Sequence, residues 1–315
     1  MIHTEALTRS FRVGRETVEA VRGVDLDVAA GELVALLGPN GAGKSTTLRM
    51  LTSLLPPTSG SARVAGLDVA EHPAGVRRRI GYIGQKDGAG YNYRVWDELV
   101  MQGRFYGMSK AAAAASGERL LATLDLTGLR MRKVSSLSGG QKRRLDIALG
   151  LIHEPALLFL DEPSTGMDPQ NRANLWEHIM RLRAERGTTI VLTTHYLEEA
   201  DAMAERVVII DHGRVIADGT AAALKQEQAG DRLIVVVPPA QVTQACAVLG
   251  VGVDARDMEG GVELSAPVPA AARALPGMLA RLQAAGVAVV AASTTQPTLD
   301  DVFLNLTGRS LREGE

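Results

Sequence analysis

Gly38-Pro39-Asn40-Gly41-Ala42-Gly43-Lys44-Ser45 is the segment whose residue types and spacing specify chemistry most directly. Its glycines let successive backbone N–H groups turn inward and form a nest for phosphate oxygens. A helix starting at Gly43 adds the positive end of its dipole. Lys44 brings a compact charge toward the β- and γ-phosphates, and the Ser45 hydroxyl is placed to coordinate Mg²⁺. The pattern G-x-x-x-x-G-K-[ST], between a strand and a helix, signals a bound nucleoside triphosphate and is silent on what that triphosphate drives.

Further along, the apolar run Leu157 to Leu160 ends in Asp161-Glu162. In an open parallel sheet, ligands gather beyond the carboxyl ends of the strands. Asp161 is therefore expected to hold a hydrated Mg²⁺, and Glu162 to polarise the attacking water. In isolation the pair fits a solvated strand end equally well; the phosphate nest upstream favours the chemical reading. His195 follows the run Thr189 to Thr194, again at a strand end, within reach of a γ-phosphate. Gln85 follows Ile80-Gly81-Tyr82-Ile83 and carries both a donor and an acceptor for the metal and the water.

These residues need a scaffold, and the pattern supplies one. Residues 1 to about 30 read as antiparallel strands, and Leu33 to Leu37 as a buried strand entering the glycine-rich turn. A helix is expected from Gly43 to about Leu54, stopped by Pro56-Pro57. Helical periodicity runs from about Asp97 to Asp125, with Ser109 a natural N-cap. Runs at 157–160, 189–192 and 207–210 are apolar on both faces, as in a buried parallel sheet. Asp168-Pro169 starts a helix to about Arg186. After Gly219 the composition changes to a small α+β unit, with strands expected at 231–237 and 286–292 and helices near 240–249 and 268–284.

The 315 residues, 46% hydrophobic and 22% charged, with a net charge of -2 and a mean hydropathy of +0.04, allow one large and one small domain. Near-neutral charge offers no general field for nucleic acid. Cys246, the only cysteine, can form neither an internal disulfide nor a cysteine metal site, and reads as a small core hydrophobe in a reducing cytoplasm. No stretch reads as a signal peptide or a spanning helix, so any membrane role needs a second chain.

Leu137-Ser138-Gly139-Gly140-Gln141, followed by an apolar helix, resembles the signature of ABC ATPases, and its order among the other motifs matches that family. The resemblance implies an α/β fold. Residues 1–225 would form a P-loop ABC ATPase domain with a RecA-like parallel sheet core, an antiparallel β subdomain and a helical signature subdomain at about 86–155. Residues 226–315 would form a small C-terminal α+β accessory domain. It further implies that Phe11 stacks on adenine, that Gly38 through Ser45 and Thr46 form the Walker A loop, and that Gln85 is the Q-loop residue. Asp161 and Glu162 would be the Walker B acids, Ser164 to Asp168 the D-loop, and His195 the switch histidine. ATP and Mg²⁺ are the implied cofactors. In that family ATP lies between the Walker A of one subunit and the signature of the other, so a homodimer is implied, and Ser138 with the Gly139 and Gly140 amides opens a second helix N-terminus suited to phosphate.

Pro297 to Gly308 and Gln102 to Gly107 resemble ATPases of the daunorubicin-resistance group. That implies an exporter of hydrophobic drug-like compounds, bound peripherally to the cytoplasmic face of the cell membrane through a separate ABC-2 type permease, without nucleic acid. The span from Lys44 to Ser138 leaves no room for the long coiled coil of chromosome-maintenance relatives. Tyr91, Tyr93 and Trp96 fit either a docking surface for the permease or packing inside the helical region. Arg77, Arg78 and Arg79 read as a solvated face.

Overall fold

The computed structural model describes residues 1–309 except 229 and 259. Two compact units divide at Thr220. The strands of the first unit are β1 (Ile2–Val13), β2 (Glu16–Val28), β3 (Leu33–Leu37), β4 (Ser59–Val64), β5 (Leu67–Asp68), β6 (Ile80–Ile83), β7 (Leu157–Asp161), β8 (Thr189–Thr194), β9 (Arg206–Asp211) and β10 (Arg214–Gly219). Its helices are α1 (Lys44–Leu51), α2 (Pro73–Arg79), α3 (Val95–Phe105), α4 (Lys110–Thr123), α5 (Gly139–Leu151), α6 (Pro169–Arg186) and α7 (Leu197–Met203).

An antiparallel sheet of order β2-β1-β4-β5 and a six-stranded sheet of order β10-β9-β3-β8-β7-β6 share one core. Leu7, Leu26 and Val64 of the first meet Leu36, Phe159 and Val208 of the second, with Leu48 and Met50 of α1 between them. In the second sheet only β10 is antiparallel. Every residue of β3, β7 and β8 is buried, which is why Leu33 to Leu37, Leu157 to Leu160 and Ile190 to Leu192 read as unbroken apolar runs.

Register decides what the site contains. Leu37 pairs with Thr194 and Asp161 with Thr193, while Ile83 sits beside Leu160. Three neighbouring strands thus end level, and Gly38, Glu162 and His195 leave them side by side.

Capping sets the helix starts. Ser109 Oγ accepts from Ala112 N at the start of α4, and Asp168 Oδ1 accepts from Asn171 N before Pro169 opens α6. Each such cap contributes about 1 kcal/mol. The helix after the glycine-rich loop ends at Leu51, short of the expected Leu54, because the chain turns through Ser53 at φ +56, well ahead of the prolines. The helical span from Asp97 to Asp125 is two helices, broken where Gly107 takes φ +84.

The second unit holds α8 (Ala221–Gln228), β11 (Arg232–Val237), α9 (Val242–Leu249), β12 (Asp254–Met258), β13 (Gly261–Pro267), α10 (Ala271–Ala284), β14 (Ala291–Thr295) and α11 (Leu299–Thr307). Its sheet is antiparallel in order β12-β13-β11-β14. Leu233, Val235 and Val237 alternate inward against Ala245 and Leu249 of α9 and Leu282 of α10. Cys246 is half-buried at the edge of this core.

The strand expected at 286–292 lies instead at Ala291–Thr295. Val287 and Val289 pack into the core after the turn at Gly286, and pairing begins only where Val290 N donates to Val236 O at 2.8 Å. The apolar stretch is packing; the paired stretch is an exposed edge with few apolar side chains. Strand β12 is exposed throughout and carries no apolar alternation, whereas Val262, Leu264 and Ala266 of β13 alternate inward.

Among the described residues no helix is long and apolar enough to cross a membrane. Arg77, Arg78 and Arg79 are exposed, although Arg77 donates to Ser53 O and Arg79 to Ala65 O.

Candidate functional site

The loop between β3 and α1 is shaped by two glycines that no other residue can replace. A Cβ on Gly38 would lie 2.1 Å from Ile210 O, and one on Gly43, whose φ is +105, would lie 2.5 Å from Ala20 O. The first turn of α1 has no side-chain cap and no acidic residue, so its amides stay available to an anion. Lys44 is buried and donates through Nζ to Gly38 O at 2.7 Å and Pro39 O at 3.0 Å. Burial lowers its pKa, with Glu162 and Asp161 pulling the other way.

Asp161 is fully buried at the end of β7. Its Oδ1 accepts from Ser45 Oγ at 2.7 Å and from Thr193 Oγ1 at 2.7 Å. Its Oδ2 has no hydrogen-bond partner among the described residues. A buried carboxylate oxygen left without a partner is costly unless a cation completes it. Gln85 Nε2 donates to Ser45 Oγ at 3.2 Å, which brings the segment after β6 to the same point.

Glu162 leaves the strand with φ +47, a left-handed conformation that costs a β-carbon-bearing residue about 1–2 kcal/mol. The bend is held by its own N–H, which donates to Thr193 Oγ1 at 3.0 Å. Its carboxylate then lies 3.9 Å from Lys44 Nζ and 3.5 Å from His195 Nδ1, and accepts from Thr165 Oγ1 at 3.2 Å. Base, lysine and histidine share one partly enclosed space.

Ser138 caps α5 in a reciprocal box: its Oγ accepts from Gln141 N at 3.3 Å, and Gln141 Oε1 accepts from Ser138 N at 3.0 Å. Ser138 and Gly139 are exposed, while a Cβ on Gly140 would meet Asn171 Oδ1 at 2.7 Å. Ser138, Gly139, Gly140, Gln85, Glu162, Asp168 and Asn171 line a cleft of about 410 Å³, and no residue of 38–46 is in its described wall. The structure therefore brings Lys44, Ser45, Gln85, Asp161, Glu162 and His195 into one cluster, and sets Ser138 to Gly140 and Asp168 around a cleft that touches that cluster only at Gln85 and Glu162. Phe11 belongs to neither. It lies on β1 opposite Val18, half-buried, with the Arg9 guanidinium 4.8 Å from its ring centre.

The sequence profile described as ABC transporter matches residues 21–165. The daunorubicin resistance ATP-binding protein DrrA3 of Streptomyces coeruleorubidus is 44% identical over 94% of this chain and 94% of its own length. This chain belongs to the ABC transporter ATP-binding family. Another relative, the linearmycin resistance ATP-binding protein LnrL of Bacillus subtilis, is 32% identical over 99% of this chain and all of its own length. Among solved structures, the post-hydrolysis dimer of the ATP-binding cassette MJ0796, bound to ADP and Pi, superposes with TM-score 0.64 at 25% identity, over 70% of this chain and 98% of that one. The ABC protein is an ATPase, and the P-loop ABC fold anticipated from its motifs is the one observed.

Sequence reasoning missed four residues of the ABC protein that hold this arrangement together. Arg143 is buried on α5 and donates to Pro163 O at 2.7 Å and Gly84 O at 2.6 Å, joining the helix behind Ser138 to both strand ends. Thr193 and Glu199 act in the same way on Asp161 and Ser164, while Asn171 lies over Gly140 and donates through Nδ2 to Asp168 Oδ2 at 2.6 Å. Arg143 lies five residues after Ser138, so it was the findable one. The others depend on contacts between distant segments. Trp96 packs against Arg130, whose guanidinium is 3.7 Å from its ring, whereas Tyr91 and Tyr93 are exposed.

Proposed function

We propose that the chain is the energy-coupling subunit of an exporter for hydrophobic, antibiotic-like compounds, working as a homodimer beneath a separate ABC-2 type permease at the cytoplasmic face of the membrane. Residues 1–225 serve as the nucleotide-binding domain and residues 226–315 as an accessory domain. The export reading rests on relatives named for daunorubicin and linearmycin resistance that align along nearly the whole chain, second unit included.

In this reading, the backbone N–H groups between Gly38 and Thr46, Pro39 excepted, and the Lys44 ammonium grip the phosphates, and Phe11 lies against the adenine. The unpartnered Asp161 Oδ2, with Ser45 Oγ and Gln85 beside it, is an oxygen-donor set that suits Mg²⁺. When bound there, the ion neutralises charge developing on the phosphate oxygens. Glu162 takes the proton of the attacking water at its carboxylate, and His195 3.5 Å away orients water and γ-phosphate. Lys44 turns from the loop carbonyls toward the phosphate, which removes the positive charge nearest Glu162.

One observation carries the dimer: Ser138 and Gly139 are exposed on a cleft whose described wall excludes the phosphate loop. Each copy therefore presents a phosphate loop and a separate capped helix end for the other. Purified protein with Mg-ATP provides the test. Glu162→Gln is expected to abolish turnover and accumulate an ATP-bound dimer by size exclusion with light scattering. Full turnover by a strict monomer would refute it.

A further inference from the structure

Glu199 is a buried acid that this mechanism leaves unused. It lies on α7 with a side chain only 5% exposed, and nothing in the sequence around it signals chemistry. Both of its oxygens are engaged. Oε1 accepts from Ser164 Oγ, and Oε2 accepts from Thr194 Oγ1 at 3.0 Å. The Arg172 guanidinium lies 3.6 Å from Oε1 and supplies the positive charge that a buried carboxylate requires.

What those hydroxyls are attached to gives the contact its meaning. Ser164 stands two residues after Glu162, in the turn where Thr165 N donates to Glu162 O and Met167 N to Ser164 O. Thr194 is the residue before His195, and its hydroxyl also accepts from Tyr196 N at 2.9 Å, so the backbone on both sides of His195 hangs from it. Arg172 closes the ring. Its guanidinium stacks over Tyr196 at 4.2 Å and donates to Met167 O at 3.3 Å, and the Tyr196 ring lies 4.2 Å from that of His195. Glu162 itself holds a strained backbone, which persists only where its surroundings over-determine it.

We propose that Glu199 is a positioning residue for hydrolysis: its carboxylate ties Ser164 to Thr194 and so holds the Glu162–His195 pair at working distance. The proposal rests on the roles given above to Glu162 and His195. Glu199 touches neither nucleotide nor water and acts through the two segments it joins. Misplacement of a catalytic group by about 1 Å lowers the rate on the order of a hundredfold. Binding of ATP, which depends on the loop after β3, is not part of the clamp.

The test measures ATP turnover and ATP affinity on the purified full chain. Glu199→Gln replaces one acceptor oxygen with an NH2 donor, so one of the two hydroxyls can no longer donate to residue 199, and Arg172 loses the charge that it faces. It is expected to lower kcat about 10- to 100-fold while the KM for ATP stays within about threefold. Ser164→Ala and Thr194→Val cut one arm each and should fall likewise, whereas Thr194→Ser keeps the hydroxyl and restores kcat. The double variant Glu199→Gln/Ser164→Ala should be no slower than the slower single, because both remove the same link. Wild-type kcat in Glu199→Gln, independent multiplying losses in the double variant, or a KM that rises as far as kcat falls would overturn the clamp. If Glu199→Gln fails to fold, the contrast of Thr194→Val with Thr194→Ser decides the matter alone. Turnover that survives Glu162→Gln would instead sink the reading on which the clamp rests.

Discussion

Replacing Asp146 by Asn is expected to flatten the dependence of stability on pH between about pH 5 and pH 8. Asp146 is 5% exposed on α5, and its Oδ1 accepts from Gly88 N at 2.9 Å, holding the segment after Gln85 against the helix that Ser138 caps. Burial is the largest influence on its carboxyl and pushes the pKa up from 3.8 to about 6, against the opposing pull of the Gly88 amide and the Arg143 guanidinium. A raised carboxyl pKa means that the folded chain holds the proton more tightly than the unfolded chain does. The resulting stabilisation is complete below 3.8 and is lost as pH rises through about 6. That gap corresponds to about 3 kcal/mol over the whole titration, of which about 1–2 kcal/mol separates pH 5 from pH 8.

Asparagine keeps an oxygen for Gly88 and removes the titration. Urea unfolding of wild type and Asp146→Asn at three pH values measures the effect, with equal slopes in urea as the check on a common transition. On going from pH 5 to pH 8, the wild type should lose about 1–2 kcal/mol more than the variant. Other titrating groups, the histidines included, cancel in that difference, as does any fixed cost of removing a charge near Arg143. Parallel profiles would mean that the carboxyl titrates as it would in water, and the burial argument would fail.

Gly43→Ala should lose ATP binding, read with a fluorescent nucleotide, and should cost about 1–3 kcal/mol in urea, since φ +105 and the Ala20 carbonyl leave no place for the new methyl. Ser138→Tyr should abolish turnover while leaving nucleotide binding to the monomer within about twofold, because the exposed cap serves the other copy's site. Thr298→Ala removes a reciprocal cap with Asp301 at the start of α11 and should lower the stability of the second unit by about 1 kcal/mol, read by its own unfolding transition or by hydrogen exchange of α11.

The sequence by itself determined the pieces whose physics is local. A glycine-rich turn between an apolar strand and a helix, Ser109, Ser138 and Asp168 as caps, and an acidic pair after a buried run each depend on neighbours a few residues away. The structure has them where the pattern put them. Local apolarity misled where packing and pairing part company, as at Val287 and Val289, which fill a core beside a strand made of alanine, serine and threonine. Tertiary structure alone decided that Asp161 meets Ser45 across 116 residues of chain, that Arg143 ties α5 to two strand ends, and that Glu199 bridges Ser164 and Thr194. Those contacts follow from the register of parallel strands that are remote in sequence. A pairing shifted by a single residue would turn Asp161 or Thr194, which lie on those strands, to the other face of the sheet and break the contacts that end on them.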